Sequence, residues 1–429
     1  MDEQNASTYN TILTTNNNQQ PKDKFMIVVR APFRLPLGGG GTDLPSYYNK
    51  YEGSLITAAI NKYMFINVNE PALVNKIKVN YTNVEILDLN EIGKIKHDIV
   101  RETLKYLNIK RPVEIFSMAD LSAGTGMGSS SSYTVGLLQA LNAMLRRHIT
   151  VKELAEEACK VEIELIGKPI GKQDQYAAAF GGIIQLEIDR LGNVTVTPLK
   201  LDTEIIYELE NRLMMFYTNI ERDANVILAE QSKKISMEPG VENRETSRGR
   251  GNETLRQGEG ERSEARSQKP QPKADQPTAE EVISHKSQPK ADQPPAEEVM
   301  LRQAQQPRQR PEGNAVDAMH KIKEIGYAVK ETLIKGDVCE FGRLLNEHWL
   351  VKKSVTDKMS NPKIDDWYEL AMKNGALGGK VMGAGGGGFM LFCVSNGKRK
   401  HLRKTLENAG LRYMDFRFDW EGVKTLVNI

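Results

Sequence analysis

Residues 123–136 read AGTGMGSSSSYTVG and combine the residue types that bind phosphate groups. Glycines let the backbone approach an anion, consecutive backbone N–H groups and a helix N-terminus supply partial positive charge, and serine hydroxyls reach phosphate oxygens or a metal ion. A strand-like segment at 113–116 precedes this run, and an amphipathic helix follows it. The Walker A pattern and the dinucleotide GxGxxG spacing are both absent. The run therefore predicts a phosphate-binding loop, with a simple capped turn as the alternative.

Two further glycine-rich segments could form parts of the same site. Residues 30–44, RAPFRLPLGGGGTDL, place Arg34 and Asp43 beside four consecutive glycines, which lets a polar ligand approach the backbone closely. A flexible turn with Asp43 as a helix N-cap explains this pattern equally well. Residues 383–389, GAGGGGF, lie between two strand-like pieces and predict either a hairpin loop or one wall of the site.

Two carboxylates occupy positions that suggest chemistry. A helix predicted at 151–166 begins with a Thr150/Glu153 capping box, and Glu162 falls in its apolar stripe. Because a buried carboxylate needs a cation, Glu162 predicts either a metal ligand or an ion pair with Arg or Lys. Asp174 follows a glycine turn in GKPIGKQDQY and suits a general base or a carboxylate beside a reacting phosphoryl group. A lone Asp in a turn is, however, usually structural.

Strand-like and helical segments occur on both sides of a polar insertion. Before it, strands are predicted at 26–29 and 76–81 and helices at 97–107 and 133–147. After it, helices are predicted at 315–335 and 339–349 and strands at 380–382 and 389–394. This mixture predicts either an α/β or an α+β protein with two domains.

The insertion itself spans about residues 238–314. It is rich in Pro, Gln, Glu, Lys, Arg and Gly and contains no aromatic residue, which predicts disorder. Within it QPKADQPTAEEV recurs as QPKADQPPAEEV, a tandem duplication without a hydrophobic face. We expect a disordered tail at 1–24, a first domain at 25–206, and a second domain at 207–429 that the insertion interrupts.

Composition and charge exclude several classes of protein. The formal net charge of +2 over 429 residues lacks the one-sided excess that nucleic-acid binding requires. The three cysteines are widely separated and form neither a disulfide framework nor a zinc-type pair, which predicts a reducing compartment. No run approaches the ~20 apolar residues of a membrane span, and the N-terminal residues lack the apolar core of a signal peptide. We therefore expect a cytoplasmic protein with no nucleic-acid partner and no membrane contact.

Taken in this order, these segments resemble the GHMP family of small-molecule kinases, named for galactokinase, homoserine kinase, mevalonate kinase and phosphomevalonate kinase. The similarity covers about residues 26–234 and 315–429. Within the family, the strings LGGGGTDL, GTGMGSSSSYTVGLL, GKQDQYAAAFGG, YTNIERDA and GAGGGGFM are most similar to those of D-glycero-α-D-manno-heptose 7-phosphate kinases.

The resemblance implies a two-domain α+β kinase with its active site in a cleft. The N-terminal domain would be like domain 2 of ribosomal protein S5, and the C-terminal domain would be ferredoxin-like. The resemblance also implies ATP as the phosphate donor and Mg²⁺ as the accompanying metal ion. The residues that it implies for binding the ATP phosphates are Gly124, Gly126, Met127, Gly128, Ser129, Ser130 and Ser131.

Individual roles come from matching the family motifs residue by residue. Asp174 matches the aspartate taken as catalytic base, and Arg34 matches the arginine beside it. Ser130 and Glu162 match the Mg²⁺ ligands. The positions that the resemblance implies for substrate binding are Gly41, Asp43, Gly385 and Gly386.

Departures from the galactokinase pattern suggest a different sugar. Galactokinases carry Glu-His at the positions of Gly40 and Gly41, and the loss of both side chains leaves space for a larger sugar. Lys172 and Arg222 are cations without galactokinase counterparts, and we expect them to help bind a substrate phosphate.

The resemblance leads to one main expectation about function and to several alternatives. The main expectation is an ATP-dependent kinase for the anomeric hydroxyl of D-glycero-α-D-manno-heptose 7-phosphate, with the sugar phosphate and ATP as partners. A homodimer is compatible with the sequence. A kinase for another sugar, such as fucose, and a non-catalytic sugar sensor on the same fold are alternatives. A dehydrogenase ranks last because the dinucleotide glycine spacing is absent.

Overall fold

The computed structural model describes residues 26–221, 224–237 and 314–429. The expected tail at 1–24, the expected insertion up to residue 313, and Arg222 lie outside the described residues. Within the described ranges, no helix is both long enough and apolar enough to cross a membrane.

The first part of the chain alternates strands and helices, each with the hydrophobic period of its type. In chain order the elements are β1 (Met26–Gly38), α1 (Pro45–Tyr51), β2 (Gly53–Asn69), β3 (Lys76–Asn80), β4 (Val84–Asp88), a 3₁₀ turn (Leu89–Lys94), α2 (Asp98–Tyr106), β5 (Val113–Ala119), α3 (Ser129–Met144), α4 (Val151–Cys159), a π-helical turn (Lys160–Leu165), α5 (Gln173–Phe180), β6 (Ile183–Ile188) and β7 (Val194–Pro198).

The second part of the chain contains longer helices and shorter strands. They are α6 (Thr203–Arg212), β8 (Leu213–Tyr217), α7 (Ala224–Met237), α8 (Ala315–Lys335), α9 (Val338–Val355), a 3₁₀ turn (Asp357–Met359), α10 (Pro362–Lys373), β9 (Ala376–Val381), β10 (Phe389–Val394), α11 (Arg399–Asn408), β11 (Arg412–Met414) and β12 (Lys424–Asn428). The expected domain boundary at 206/207 lies within α6, just before β8, and stays a prediction.

Two sheets organise these elements. The larger has the strand order β12-β1-β2-β5-β3-β4, and its long strand β2 also pairs with β6, which in turn pairs with β7. The β3–β5 pair is parallel, and β2 is antiparallel to each of its partners. The smaller sheet has the order β11-β8-β10-β9 and is antiparallel. The long strand β2 therefore joins the two halves of the larger sheet.

Strand β1 continues well beyond its predicted end at Val29, so Arg34 lies on a strand and not in a loop. Shifts in the β1–β2 register occur at Pro32 and Pro36. Proline has no N–H to donate to a strand ladder, which is why it is found at such irregular positions. The residues before and after Arg34 also pair with β2, so the sheet holds the backbone at Arg34 in place.

The helix predicted at 151–166 is wrong in its second half. Helix α4 begins at its capping box as expected but ends at Cys159, and a π-helical turn continues to Leu165. In this wider turn Glu162 is fully buried, whereas the apolar side chain of Leu165 is 44% exposed. Turns of this kind occur frequently at functional sites.

The glycine-rich loop at 382–388 joins β9 and β10 as an antiparallel hairpin, so the predicted hairpin is confirmed. This loop lies directly against the loop that precedes α3. A Cβ atom on Gly383 would lie 2.8 Å from the Gly126 oxygen, and one on Gly388 would lie 2.2 Å from the Thr125 oxygen. Both glycines also have positive φ angles. Glycine is therefore required where the smaller sheet meets the larger one.

The chain returns to the larger sheet in its last strand. Strand β12 pairs antiparallel with β1, with Ile27 opposite Asn428. Nearby, a Cβ atom on Gly181 would lie only 2.3 Å from the Gly422 nitrogen. Segments from the two ends of the described chain are thus packed together in one sheet.

Candidate active site

The N-terminus of α3 forms the floor of an open cavity of about 1370 Å³, which we call the loop cavity. Gly128 caps the helix in the left-handed conformation, with a φ of 81°, and the serines of the first turn follow it. Six of the seven residues predicted to bind phosphate line this cavity: Gly124, Gly126, Gly128, Ser129, Ser130 and Ser131. The side chain of Met127 is instead fully buried in the hydrophobic core.

Arg34 and Asp174 form a two-pronged ion pair at the edge of the loop cavity. Arg34 Nε donates to Asp174 Oδ1 at 2.7 Å and Nη2 donates to Oδ2 at 2.8 Å, while Nη1 donates to the Gly126 oxygen at 2.7 Å. A guanidinium that binds a carboxylate through two parallel bonds fixes its orientation as well as its distance. The strand β1, the loop before α3 and the first turn of α5 are therefore joined at one carboxylate.

Gly128 of the phosphate-binding loop lies close to the carboxylate of this ion pair. A Cβ atom at Gly128 would lie 3.1 Å from Asp174 Oδ2, so any larger residue would press on the carboxylate. The glycine is needed for this close approach and for its backbone conformation.

Ser130 and Glu162, the predicted metal ligands, lie together beneath the loop cavity. The Ser130 hydroxyl donates to Glu162, whose other oxygen accepts a 2.8 Å hydrogen bond from Gln175 Nε2. Lys168, which the sequence analysis missed, lies 2.8 Å from Ser130 Oγ and 3.1 Å from Glu162 Oε1 through its ammonium. The available signal was a charged residue two positions after the end of the predicted helix, beside a glycine.

These oxygens suit Mg²⁺, although they are also the partners of a lysine. Hydroxyl and carboxylate oxygens are the hard donors that Mg²⁺ prefers, and this ion is commonly held by one or two protein oxygens together with substrate phosphates. The described residues contain no cluster of three or more His, Cys, Asp or Glu side chains that could hold a metal ion by themselves. The donor set of Ser130 and Glu162 therefore fits a metal ion that arrives with a phosphorylated ligand.

A second, smaller space, which we call the inner cavity, lies on the other side of Asp174. Its open space is about 560 Å³, and it shares Arg34, Asp174, Gly383 and Ala384 with the loop cavity. The Arg34–Asp174 pair thus stands where the two cavities meet.

The inner cavity contains Gly41 and Asp43, as predicted for a substrate site. Asp43 is buried and accepts hydrogen bonds from the backbone N–H groups of Gly41 at 3.0 Å and Gln173 at 3.1 Å. Burial raises the pKa of Asp43 above its ordinary value, and the nearby Asp174 charge raises it further, against the opposing effect of the Gln173 hydrogen bond.

Three other predicted substrate residues, Gly385, Gly386 and Lys172, do not line this cavity. Neither Gly385 nor Gly386 lines it; their neighbours Gly383 and Ala384 do. Lys172 lines neither the inner nor the loop cavity, because its ammonium donates to the Gly192 oxygen at 2.5 Å and lies 3.4 Å from Glu156. Lys172 is the N-cap residue of α5.

The cations that do line the inner cavity are Lys352 and Lys380, both missed by the sequence analysis. Lys352 lies on α9 and donates to the Gly383 oxygen at 2.7 Å. Lys380 lies on β9 and is only 1% exposed. Burial lowers the pKa of Lys380 well below its ordinary value, and the neighbouring charges of Lys352 and Arg34 lower it further.

An aromatic cavity adjoins the loop cavity at Ser129 and Ser130. Its open volume is about 1250 Å³, and the rings of His97 and Tyr133 stack in its wall with centroids 4.8 Å apart. The ring of Tyr81 meets His97 edge-on at 4.8 Å. A flat aromatic group can stack in such a space while a phosphate chain extends over α3.

Two family models match the chain in the order of these features. The model for the GHMP kinases N terminal domain matches residues 94–182, and that for the GHMP kinases C terminal matches residues 329–410. The first match spans the phosphate-binding loop and Asp174, and the second spans the hairpin loop that contacts it. The chain therefore contains segments that match the N-terminal and C-terminal domains of GHMP kinases. The α+β fold predicted from the sequence is thereby confirmed.

Known GHMP kinases are similar to this chain over nearly its whole length. A D-glycero-alpha-D-manno-heptose 7-phosphate kinase from Campylobacter jejuni is 28% identical over 93% of this chain and 98% of its own. A solved D-glycero-D-manno-heptose 1-phosphate kinase from Bacteriodes thetaiotaomicron has a TM-score of 0.62 at 23% identity, over 94% of this chain and 99% of its own. Lactococcus lactis galactokinase has a TM-score of 0.61 at 18% identity, over 98% of this chain and 99% of its own.

The two matched domains and the similar kinases indicate the class of reaction. The protein is a sugar kinase, a phosphotransferase that uses an alcohol group as acceptor, and GHMP kinases use ATP as the phosphate donor. The Arg34–Asp174 pair, between one cavity lined by a phosphate-binding loop and another lined by lysines, agrees with transfer between two ligands.

Proposed function

We propose that this GHMP kinase transfers the γ-phosphoryl group of Mg²⁺-ATP to the anomeric hydroxyl of D-glycero-α-D-manno-heptose 7-phosphate. The product would be the 1,7-bisphosphate, for the synthesis of nucleotide-activated heptose and surface glycans. The observation that carries the proposal is the inner cavity, which is lined by Gly40 and Gly41, by the Arg34–Asp174 pair and by two buried lysines. The similarity to a named heptose 7-phosphate kinase over almost the full length supports the choice of sugar.

ATP would occupy the loop cavity and the aromatic cavity. Its base would stack beside His97 and Tyr133, and its phosphates would accept hydrogen bonds from the backbone at the N-terminus of α3. Lys168 lies close enough to the Ser130 hydroxyl to reach the same phosphates. Ser130 and Glu162 would hold Mg²⁺, which neutralises charge on the phosphate chain when it is bound.

The sugar would occupy the inner cavity with its reacting hydroxyl at Asp174. The hydroxyl oxygen forms a bond to the γ-phosphorus while the bond from that phosphorus to the bridging oxygen of ADP breaks. Asp174 accepts the hydroxyl proton, and Arg34 holds the carboxylate toward the transfer point and adds positive charge there. Phosphoryl transfer depends mainly on this alignment, because a loose transition state needs little early proton removal.

The deciding experiment measures ADP release by the purified protein with Mg²⁺-ATP and one of several acceptors. D-glycero-D-manno-heptose 7-phosphate should give the highest kcat/KM, and phosphorus NMR should show a new phosphate at the anomeric position. Turnover with unphosphorylated fucose or galactose in its place would reject the assigned substrate, and no turnover with any sugar would favour a non-catalytic sensor.

Asp174→Asn provides the catalytic test in the same assay. It keeps the shape of the side chain but removes the proton acceptor, so kcat should fall about 10²–10⁴-fold. Asp366→Asn, which changes an exposed carboxylate on α10, is the matched control and should retain full activity. An Asp174→Asn enzyme with the kcat of the wild type would contradict the role given to this residue.

A further inference from the structure

Lys380 is a buried lysine without a partner among the described residues. Its ammonium makes no hydrogen bond and no ion pair with them, although 99% of the residue surface is covered. An isolated ammonium inside a protein is costly, and natural proteins usually pair such a group or bring it to a ligand. Strand β9 is otherwise made of Ala, Leu, Gly and Val and is buried along its whole length. A lysine at this position therefore weakens the fold and calls for a functional reason.

Helix α9 brings further basic groups toward Lys380. His348 and Lys352 are four residues apart and so lie on one face of the helix. Lys352 is 6% exposed and lines the inner cavity, and His348 lies fully buried below it. The charges of Lys352 and Lys380 add to the effect of burial and keep the pKa of His348 far below its ordinary value. Strand β9 and helix α9 thus concentrate positive charge at one wall of the inner cavity.

The position of this wall separates it from the nucleotide phosphates. Lys352 and Lys380 line the inner cavity, whereas the loop cavity is lined by the phosphate-binding loop and by Lys168 instead. Among the described residues that line the inner cavity, three are cations (Arg34, Lys352 and Lys380) and two are acids (Asp43 and Asp174). Arg34 is already bound to Asp174, and Lys352 donates to the Gly383 oxygen. Lys380 is therefore the cation of this wall that has no hydrogen-bond or ion-pair partner among the described residues.

We propose that Lys380, supported by Lys352, binds the phosphate group that the acceptor sugar already carries. This inference rests on the proposed function, and it replaces Lys172 by Lys380 as the cation that recognises the substrate phosphate. The sugar would be held at two points. Its reacting hydroxyl would lie at Asp174, and its phosphate would lie at the cavity wall formed by Lys352 and Lys380, which we call the lysine wall. A dianionic phosphate would also favour the protonated form of Lys380, which burial alone disfavours.

The first test compares steady-state kinetics for Lys380→Met and the wild type. Methionine has a similar volume without the charge, so KM for heptose 7-phosphate should rise about 10- to 100-fold, while KM for ATP stays within about threefold. The preference for the phosphorylated over the unphosphorylated heptose should fall by the same factor. Lys323→Met is the matched control, since this partly buried lysine donates only to backbone oxygens of Tyr51 and Glu52, outside the inner cavity.

Other kinetic outcomes would overturn the inference. A rise in KM for ATP instead of the sugar would assign the lysine wall to the transferred phosphoryl group. A rise in KM for the sugar phosphate in Lys172→Met, with none in Lys380→Met, would restore the residue chosen from the sequence.

The second test does not depend on which sugar is the substrate. With Mg²⁺ and a non-hydrolysable ATP analogue filling the loop cavity, added inorganic phosphate should raise the Tm of the wild type but not that of Lys380→Met, at matched ionic strength. Without phosphate, Lys380→Met should have the higher Tm, because it removes a buried charge. Equal responses of the two proteins to phosphate would refute the site, whereas a phosphate response in the wild type without turnover of heptose 7-phosphate would refute only the choice of sugar.

Discussion

The loop cavity and the inner cavity each contain a lysine that can reach a phosphate group, but only one of these lysines has an acidic partner. Lys168 lies 3.1 Å from the buried carboxylate of Glu162. Lys380 has no such partner among the described residues and is more deeply buried. In the proposed function the loop cavity receives a nucleotide together with Mg²⁺. Such a site would need an acid that binds the metal ion, and a lysine that pairs with this acid before the metal ion arrives. A sugar phosphate brings no metal, and its site must supply unpaired positive charge.

The largest effect is expected where the two cavities meet. Gly128→Ala would place a Cβ atom 3.1 Å from Asp174 Oδ2 and displace the carboxylate. The carboxylate must move by a few tenths of an ångström to relieve this contact. Because misplacement of a reacting group by about 1 Å costs about 10²-fold, kcat should fall for every acceptor sugar by up to about that factor. Gly397→Ala is the matched control, since Gly397 also has a positive φ but no atom within 4 Å of its Cβ position. Equal losses in both variants would show that only backbone strain is involved.

An intermediate effect should distinguish the two lysines. Lys168→Met removes a cation from the loop cavity, so KM for ATP should rise about 10-fold while KM for the sugar phosphate changes little. The same change leaves Glu162 without its ammonium partner, and the Mg²⁺ concentration that gives half-maximal activity should therefore fall. Steady-state kinetics at varied concentrations of ATP, sugar phosphate and Mg²⁺ would measure both KM values and the Mg²⁺ concentration for half-maximal activity. If Lys168→Met and Lys380→Met both raised the same KM, the assignment of ATP to the loop cavity and of the sugar phosphate to the inner cavity would be wrong.

The smallest effect concerns the stability cost of the lysine wall. Burial and the charges of Lys380 and Lys352 hold the pKa of His348 well below 6.5 in the folded protein. The unfolded chain therefore binds a proton at His348 as the pH falls through about 6.5, whereas the folded chain does not, and stability present above that pH is lost below it. Between about pH 7.5 and 5.5, the wild type should lose about 1.4 kcal/mol more than His348→Leu.

Urea unfolding at the two pH values measures this difference. His401→Gln is the control, because His401 is exposed and its removal should leave the slope of stability against pH unchanged. A slope for His348→Leu as steep as that of the wild type would show that His348 does not titrate on unfolding as described.

Much of the candidate site could be predicted because its residues lie in contiguous motifs. The glycine-serine run predicted the loop before α3, and the structure brings Asp174 to Arg34 and Glu162 to Ser130. Such motifs are readable because backbone conformation and close approach restrict the residue types over several adjacent positions. The chemical roles of these four residues remain predictions.

The lysine wall was missed because it is assembled from separate elements of the second part of the chain. A signal existed in ALGGKV, where Lys380 interrupts an otherwise apolar strand, as Glu162 interrupts an apolar helix face. The expectation for Lys172 relied on its closeness in sequence to Asp174, which does not determine the direction of its side chain. The π-helical turn after α4 also could not be read from a stripe counted at 3.6 residues per turn.

The pairing of β12 with β1 has a consequence for the order in which the protein is made. Ile27 and Asn428 face each other across about 400 residues of chain, so the first strand synthesised lacks this neighbour until the ribosome has passed the whole smaller sheet. Pairing between such distant segments forms slowly, because the chain loses the entropy of closing a long loop before the contacts between the strands stabilise it. Until then one edge of β1 has backbone N–H and C=O groups without partners, and these groups can pair with strands of other chains and cause aggregation. The nascent kinase is therefore expected to depend on protection of that edge late in translation.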